Sequence, residues 1–197
     1  MDLLMNGIDL RTPATWVLIG INIVLFFLEE RAGGSTRSEV ALRFGAQYTP
    51  KLEEKQYYRL FTSLFLHFGV FHLICNMWSL YNLGPIVELL FGSFRFLVIY
   101  FISGLCGNLL TWAVEKRSGR NAVSAGASGA IFGLLGAMLI LALHPALRGY
   151  FSLRSILFTL LINAAYGISN KGINGKAHLG GFLGGAAVTI LFVWYLI

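Results

Sequence analysis

Ser128 stands in the stretch Ser124-Ala125-Gly126-Ala127-Ser128-Gly129-Ala130, at the head of a long apolar run. A serine so placed has two readings. Glycine and alanine let two helix backbones approach closely inside a bilayer, with the hydroxyl satisfied by a backbone carbonyl, which makes the serine a packing residue. A serine at a helix start also lies beside unpaired N–H groups and the positive end of the helix dipole, which suit a developing oxyanion and make it a nucleophile if a base reaches it. The candidate base is His178, in Ala177-His178-Leu179-Gly180-Gly181-Phe182-Leu183-Gly184-Gly185. His72 and Asn76, four residues apart, share one helix face, and Asn76 could donate to an oxyanion once Ser128 is taken as the nucleophile. Taken singly, His178, His72 and Asn76 read equally well as hydrogen-bonding residues between packed helices.

The elements that must position these residues follow from composition. Hydrophobic residues make up 56% of the 197 positions and charged residues only 12%. A soluble core of this size could not hide that much apolar surface, so the chain is expected to be an all-α, polytopic membrane protein. The formal charge of +6 belongs to loops, where it suits lipid headgroups and topology; no motif supports nucleic-acid binding. Cys75 and Cys106 both fall in apolar runs and suggest neither a disulfide framework nor a metal site. The first apolar run lacks a basic n-region and a small-x-small cleavage site, which predicts a retained helix. Uncharged stretches of spanning length predict six helices in one domain over 1–197, at about 12–29, 70–87, 94–113, 127–144, 152–167 and 177–197. Between the first two lies a large polar loop, from Glu29 to Arg59, partly at the membrane interface. Gly84-Pro85 is expected to close the second span, with Glu88 and Arg95 in a short turn on the opposite side.

Six spans put the first, third and fifth loops on one side. The fourth span starts there with Ser128, the sixth starts there with His178, and His72 and Asn76 fall in the first two turns of the second span from that same side. Four polar groups converge at one depth, and intramembrane polar groups mark function by default, so Ser128 and His178 read as nucleophile and general base. The bare glycine face around His178, including Gly181 and Gly185, suits close packing against the equally bare start of the fourth span at Gly126 and Gly129. A zinc site is poorly supported: His67 and His72 are five apart and share no helix face, HExxH is absent, and no acid lies at that level. A GxSxG elbow would need glycine where Ala130 stands. With no acid near His178 in the spans, a dyad is favoured over a triad.

These residues resemble those of the rhomboid family of intramembrane serine proteases. The resemblance is carried by Gly126-Ala127-Ser128-Gly129-Ala130, by Ala177-His178 with Gly181 and Gly185, by His72-Leu73-Ile74-Cys75-Asn76, and by Gly84 with Glu88. It spans helices two to six of the minimal six-helix form, which implies a rhomboid-like bundle with an interfacial first loop. It implies that Ser128 is the nucleophile, His178 its base, and His72, Asn76 and the Ser128 N–H the oxyanion-binding groups. Tyr58-Arg59 stands where the family often has Trp-Arg, and Phe132 where a tyrosine often stacks on the histidine; both departures keep the ring. Arg59, Glu88 and Phe132 are thereby supporting residues. The implied reaction is peptide-bond hydrolysis in or near transmembrane segments of other membrane proteins that enter from the lipid bilayer, with no metal or organic cofactor. Substrates with helix-weakening residues near the cut should be favoured.

Three readings stay open. The segment from Gly167 to Gly175 is either a lid over the site or an ordinary solvated loop. All Lys and Arg except Arg11, Arg95, Arg148 and Arg154 fall on the active-site side, which by the positive-inside rule puts the mouth in the cytoplasm. The family resemblance instead implies a bacterial inner-membrane protein whose site opens outward, and this is the orientation expected. A catalytically inactive rhomboid-like protein that binds membrane clients is the alternative function, and such proteins typically lack the serine or the histidine. A transporter is disfavoured because the polar groups gather at one end of the bundle.

Overall fold

Pro13, at the first helical position where its missing N–H costs nothing, opens α1 (Pro13–Arg31). In the computed structural model the described residues are 11–147, 151–169 and 172–196, with side chains described for these except 164–169 and 194–196. Arg148 and Lys171, two of the charges that enter the orientation count, lie outside them. At about 1.5 Å per residue α1 is about 28 Å long, enough to cross a bilayer. The polar run of the sequence was expected to leave the helix at Glu29. The helix instead continues to Arg31, with Glu29 wholly buried.

The first loop folds into short helices: α2 (Ser38–Phe44), α3 (Thr49–Glu53) and α4 (Arg59–Thr62), the last followed by a 3-10 turn over Ser63–Phe65. Arg59 organises it from within. Its Nη1 donates to the carbonyls of Leu42 (2.8 Å) and Ala46 (3.0 Å), and its Nε to Gln56 (2.7 Å). A cation is thus held at the C-terminal end of α2, where orphan carbonyls and the helix dipole favour it.

The next element, α5 (Val70–Ser118), holds 49 residues, about 74 Å if straight and far more than one crossing. It breaks at Gly92, whose backbone (φ 75°, ψ 160°) is open to glycine and strained for other residues. The break makes two legs. On the second, Asn108 Nδ2 reaches Leu60 O (2.7 Å) and Ser63 Oγ (3.0 Å), beside the start of the first, so the chain has turned back on itself. Two sequence expectations are corrected here. Gly84-Pro85 does not close the span, because Pro85 lies inside the helix. Glu88 is not in an exposed turn; it is 1% exposed and lies one helical turn before the break. Its carboxylate accepts from the N–H groups of Ala14 (2.9 Å) and Thr15 (2.8 Å), from Thr15 Oγ1 (2.7 Å) and from Ser93 Oγ (2.7 Å). Satisfying the orphan donors of α1 in this way makes a buried carboxylate tolerable.

The remaining elements are α6 (Ser128–Leu143), α7 (Leu153–Ser169) and α8 (Gly175–Leu196). Pro13–Arg31, Val70–Ser118 and Gly175–Val193 are long and apolar enough to cross a membrane, and Ser128–Leu143 and Leu153–Asn163 are shorter apolar helices. The protein is an all-α polytopic membrane bundle. Its centre is the meeting of α5, α6 and α8, where glycines bring helix backbones into direct contact. A Cβ at Gly181 would run into the Gly129 carbonyl, one at Gly185 into the Gly133 carbonyl, and one at Gly107 would come within 2.5 Å of the Ala177 carbonyl. Buried Leu80, Val87, Phe96, Ile99, Leu134 and Leu141 fill the space around this contact, while Phe71, Trp78, Phe94, Leu161 and Leu191 remain on the outer surface, as lipid-facing residues do.

Candidate active site

Ser128 is the first residue of α6, so its N–H and those that follow lack intrahelical acceptors. His178 lies in the first turn of α8, its N–H bonded to Asn174 O (3.2 Å). The glycine contact between α6 and α8 brings His178 Nε2 to 3.0 Å from Ser128 Oγ. Phe132, one turn along α6, stacks on the imidazole with centroids 4.1 Å apart and planes within 9°. Ring on ring at this distance restricts rotation of His178 about its side-chain bonds, and no hydroxyl is involved.

His72 and Asn76, on the first turns of α5, close the other wall. His72 Nδ1 accepts from the Phe68 N–H (3.3 Å). In a neutral imidazole that assigns the proton to Nε2, which becomes a donor. The path of the chain before Ser128 leaves room for it. Gly126 has φ 140°, and a Cβ there would lie 2.9 Å from His72 Cε1, 3.0 Å from Nε2 and 3.8 Å from Asn76 Nδ2, so only glycine fits. Its N–H donates to Ser63 O (2.9 Å), fixing the turn to the first loop. Asn76 is 6% exposed and its Nδ2 is buried with no acceptor among the described residues. The arrangement is a hydroxyl with a base on one side and, on the other, two side-chain donors and a helix N-terminus. All of it lines a cavity of about 580 Å³ that extends past Asn174 to Glu115 and Lys176. Chemically, such a site can generate an alkoxide-like nucleophile and stabilise negative charge that develops beside it.

The other residues singled out by sequence lie further out. Gly129, Gly181 and Gly185 are at the α6–α8 contact. Arg59 braces the first loop, and Glu88 clamps α1 at the opposite end of the bundle. His67 is buried, its ring edge-on to that of His72 at 5.1 Å; burial and the neighbouring His72 push its imidazole down to about 3. Asn170 and Lys171, in the segment offered as a lid, lie outside the described residues.

Sequence reasoning missed three supports. Glu29 accepts from the His67 N–H (3.2 Å) and Ser35 Oγ from the Gly69 N–H (3.1 Å), so three successive amides, with Phe68 between them, are each held by a side chain. Nothing in the sequence marks Glu29 as buried. Gln47 and Ser124 exchange backbone hydrogen bonds, 2.9 Å each way, tying the first loop to the segment before the serine. Asn174 caps α8, and here a signal existed: asparagine just before a glycine and an apolar run is a helix start.

The sequence matches the Rhomboid domain over residues 54–195. It is 37% identical over 172 residues to the rhomboid protease GluP of Bacillus subtilis, covering 87% of this chain and 33% of GluP. It is 41% identical over 145 residues to RHOMBOID-like protein 1 of Arabidopsis thaliana, covering 72% of this chain and 36% of that protein. With the putative rhomboid protease YdcA of Bacillus subtilis the identity is 37% over 139 residues, covering 70% of this chain and 68% of YdcA. The chain thus spans about a third of the length of the first two relatives and two thirds of the third. By the matched domain and these identities, the chain belongs to the rhomboid family.

Proposed function

We propose that the chain is an intramembrane serine endopeptidase acting through Ser128 and His178. The observation that carries this reading is the 3.0 Å approach of His178 Nε2 to Ser128 Oγ, beside the close backbone contact of α6 and α8 at Gly129 and Gly181. His178 Nε2 takes the hydroxyl proton as Ser128 Oγ attacks the scissile carbonyl. The oxyanion is held by His72 Nε2–H, Asn76 Nδ2–H and the Ser128 N–H. The imidazolium gives its proton to the departing amine, leaving an acyl-enzyme, and a water activated by the same His178 then releases the acid and restores the hydroxyl. Phe132, in place of an acid, orients the base.

The substrate is the transmembrane segment of another membrane protein, entering from the lipid. A helix hides its peptide bonds, so segments with glycine or proline near the cut are cleaved preferentially. The protein resides in a bacterial cell membrane with the site opening outward. Reaction with a fluorophosphonate tests the mechanism. Wild type is labelled covalently, while Ser128→Ala is not and His178→Ala is labelled at least about 100-fold more slowly. A wild type that resists labelling, and cleaves helical substrates no faster than Ser128→Ala, ends the reading.

A further inference from the structure

We propose that Asn174 is a positioning residue for the Ser128–His178 pair, its carboxamide tying the first turn of α8 to the segment that delivers the serine. The proposal rests on the protease reading. An asparagine side chain has one acceptor oxygen and two N–H donors, and every one of these is used. Oδ1 accepts from the Ala177 N–H (3.1 Å), which fixes the orientation of the amide. Nδ2 donates to Ser124 Oγ (2.9 Å) and to Thr111 Oγ1 (3.1 Å). The Thr111 hydroxyl proton goes to Gly107 O (2.9 Å), which leaves its lone pair for Asn174. The main-chain oxygen of Asn174 accepts from the His178 N–H itself (3.2 Å).

One residue therefore touches all three elements of the site. It caps the helix that carries His178, holds Ser124 four residues before Ser128, and anchors both to the second leg of α5. Ser124 passes the restraint on, because its backbone is paired with Gln47 in both directions. The glycine contact sets how closely α6 and α8 approach. It does little to stop one sliding along the other, since bare backbone offers no ridges, and a slide of 1 Å is enough to misalign a proton transfer. A directional hydrogen-bond pair across the mouth resists that slide. A second strap lies beside it: Lys176 Nζ pairs with Glu115 Oε1 (2.9 Å), whose Oε2 accepts from Thr49 Oγ1 (3.0 Å). With this strap intact, α8 stays docked when Asn174 is changed, so the change acts on alignment rather than on folding.

Serine separates the cap from the tie. It caps a helix about as well as asparagine but is too short to reach Ser124 and Thr111 as well. The experiment compares full-length wild type, Asn174→Ser, Ser124→Ala and the double variant for cleavage of a helical substrate, fluorophosphonate acylation of Ser128 and thermal unfolding. Asn174→Ser is expected to unfold as wild type does while kcat and the acylation rate fall about tenfold and KM stays. Ser124→Ala is expected to lose kcat several-fold, and the double variant to be no slower than Asn174→Ser, because both remove one interaction. Wild-type kcat in Asn174→Ser, or a double variant that falls by the product of the two single losses, overturns the proposal. So does a loss accounted for by unfolding alone. Failure of wild type to be acylated overturns the protease reading instead, whereas a labelled wild type with an unimpaired Asn174→Ser removes only this one.

Discussion

The two walls of the site are built on opposite principles. On the α6–α8 side, Ser128 and His178 are brought together by missing side chains: Gly181 meets the Gly129 carbonyl and Gly185 that of Gly133. On the α5 side, His72 is aimed by added polar groups, with Glu29, His72 and Ser35 each taking one of three successive amides at 67, 68 and 69. The first wall is a contact of backbones, which permits no enlargement. The second is a set of hydrogen bonds, which can be repaired by any group offering the same acceptor.

The largest effect that would break this contrast belongs to the first wall. Gly181→Ala places a methyl group on the Gly129 carbonyl, and overpacking of this kind costs about 1–3 kcal/mol. The accompanying shift of His178 from Ser128 should slow acylation about 100-fold. Thermal unfolding and probe labelling measure the two, and a variant with wild-type labelling would show that the glycine contact is slack.

A smaller effect distinguishes the second wall. Glu29→Ala leaves the buried His67 N–H without its acceptor, at a cost of about 1–3 kcal/mol in thermal unfolding, while Glu29→Gln, which keeps an acceptor oxygen, should recover most of it. Labelling should follow the same order. Equal damage from Ala and Gln would mean that the charge, and not the hydrogen bond, is what the wall requires.

How much of this could be read beforehand depends on where each residue's partner lies. Loop parity put Ser128, His178, His72 and Asn76 at one depth, and the bare faces around Gly129 and Gly181 pointed to one contact, because small-residue spacing along a helix is visible locally. The burial of Glu88 was not visible, since its donors at Ala14 and Thr15 are more than 70 residues away and an acid next to Arg95 reads as a solvated turn. Glu29 was misread as a loop residue for the same reason: its partner, the amide of His67, is 38 residues distant. The break in α5 was expected at Gly84-Pro85 and falls at Gly92, because a transmembrane helix tolerates a proline in its interior while the Gly92 backbone departs from helical geometry.

The contrast is also sharpened through pH, by an effect spread over several pH units. His67 is held at about 3 by burial and His72, against about 6.5 in an unfolded chain. Between those values the unfolded chain takes up a proton that the folded one refuses, so stability falls as pH drops from about 6.5 toward 3, by at most about 1.4 kcal/mol per pH unit. Unfolding temperatures across that range, compared with His67→Gln, should show a steeper acid decline in wild type. Parallel curves would mean that the second wall admits the proton without opening.

The break at Gly92 also bears on how the molecule is made. Because both ends of α5 lie on the side of the candidate site, the element is a helical hairpin whose bend at Gly92 lies at the opposite end of the bundle. Glu88, just before that bend, draws its donors from Ser93 and from the first turn of α1. Inserted alone, the hairpin carries a carboxylate with most of its donors missing, and α1 carries free amides at its start. Packing of α1 against the hairpin removes both defects together.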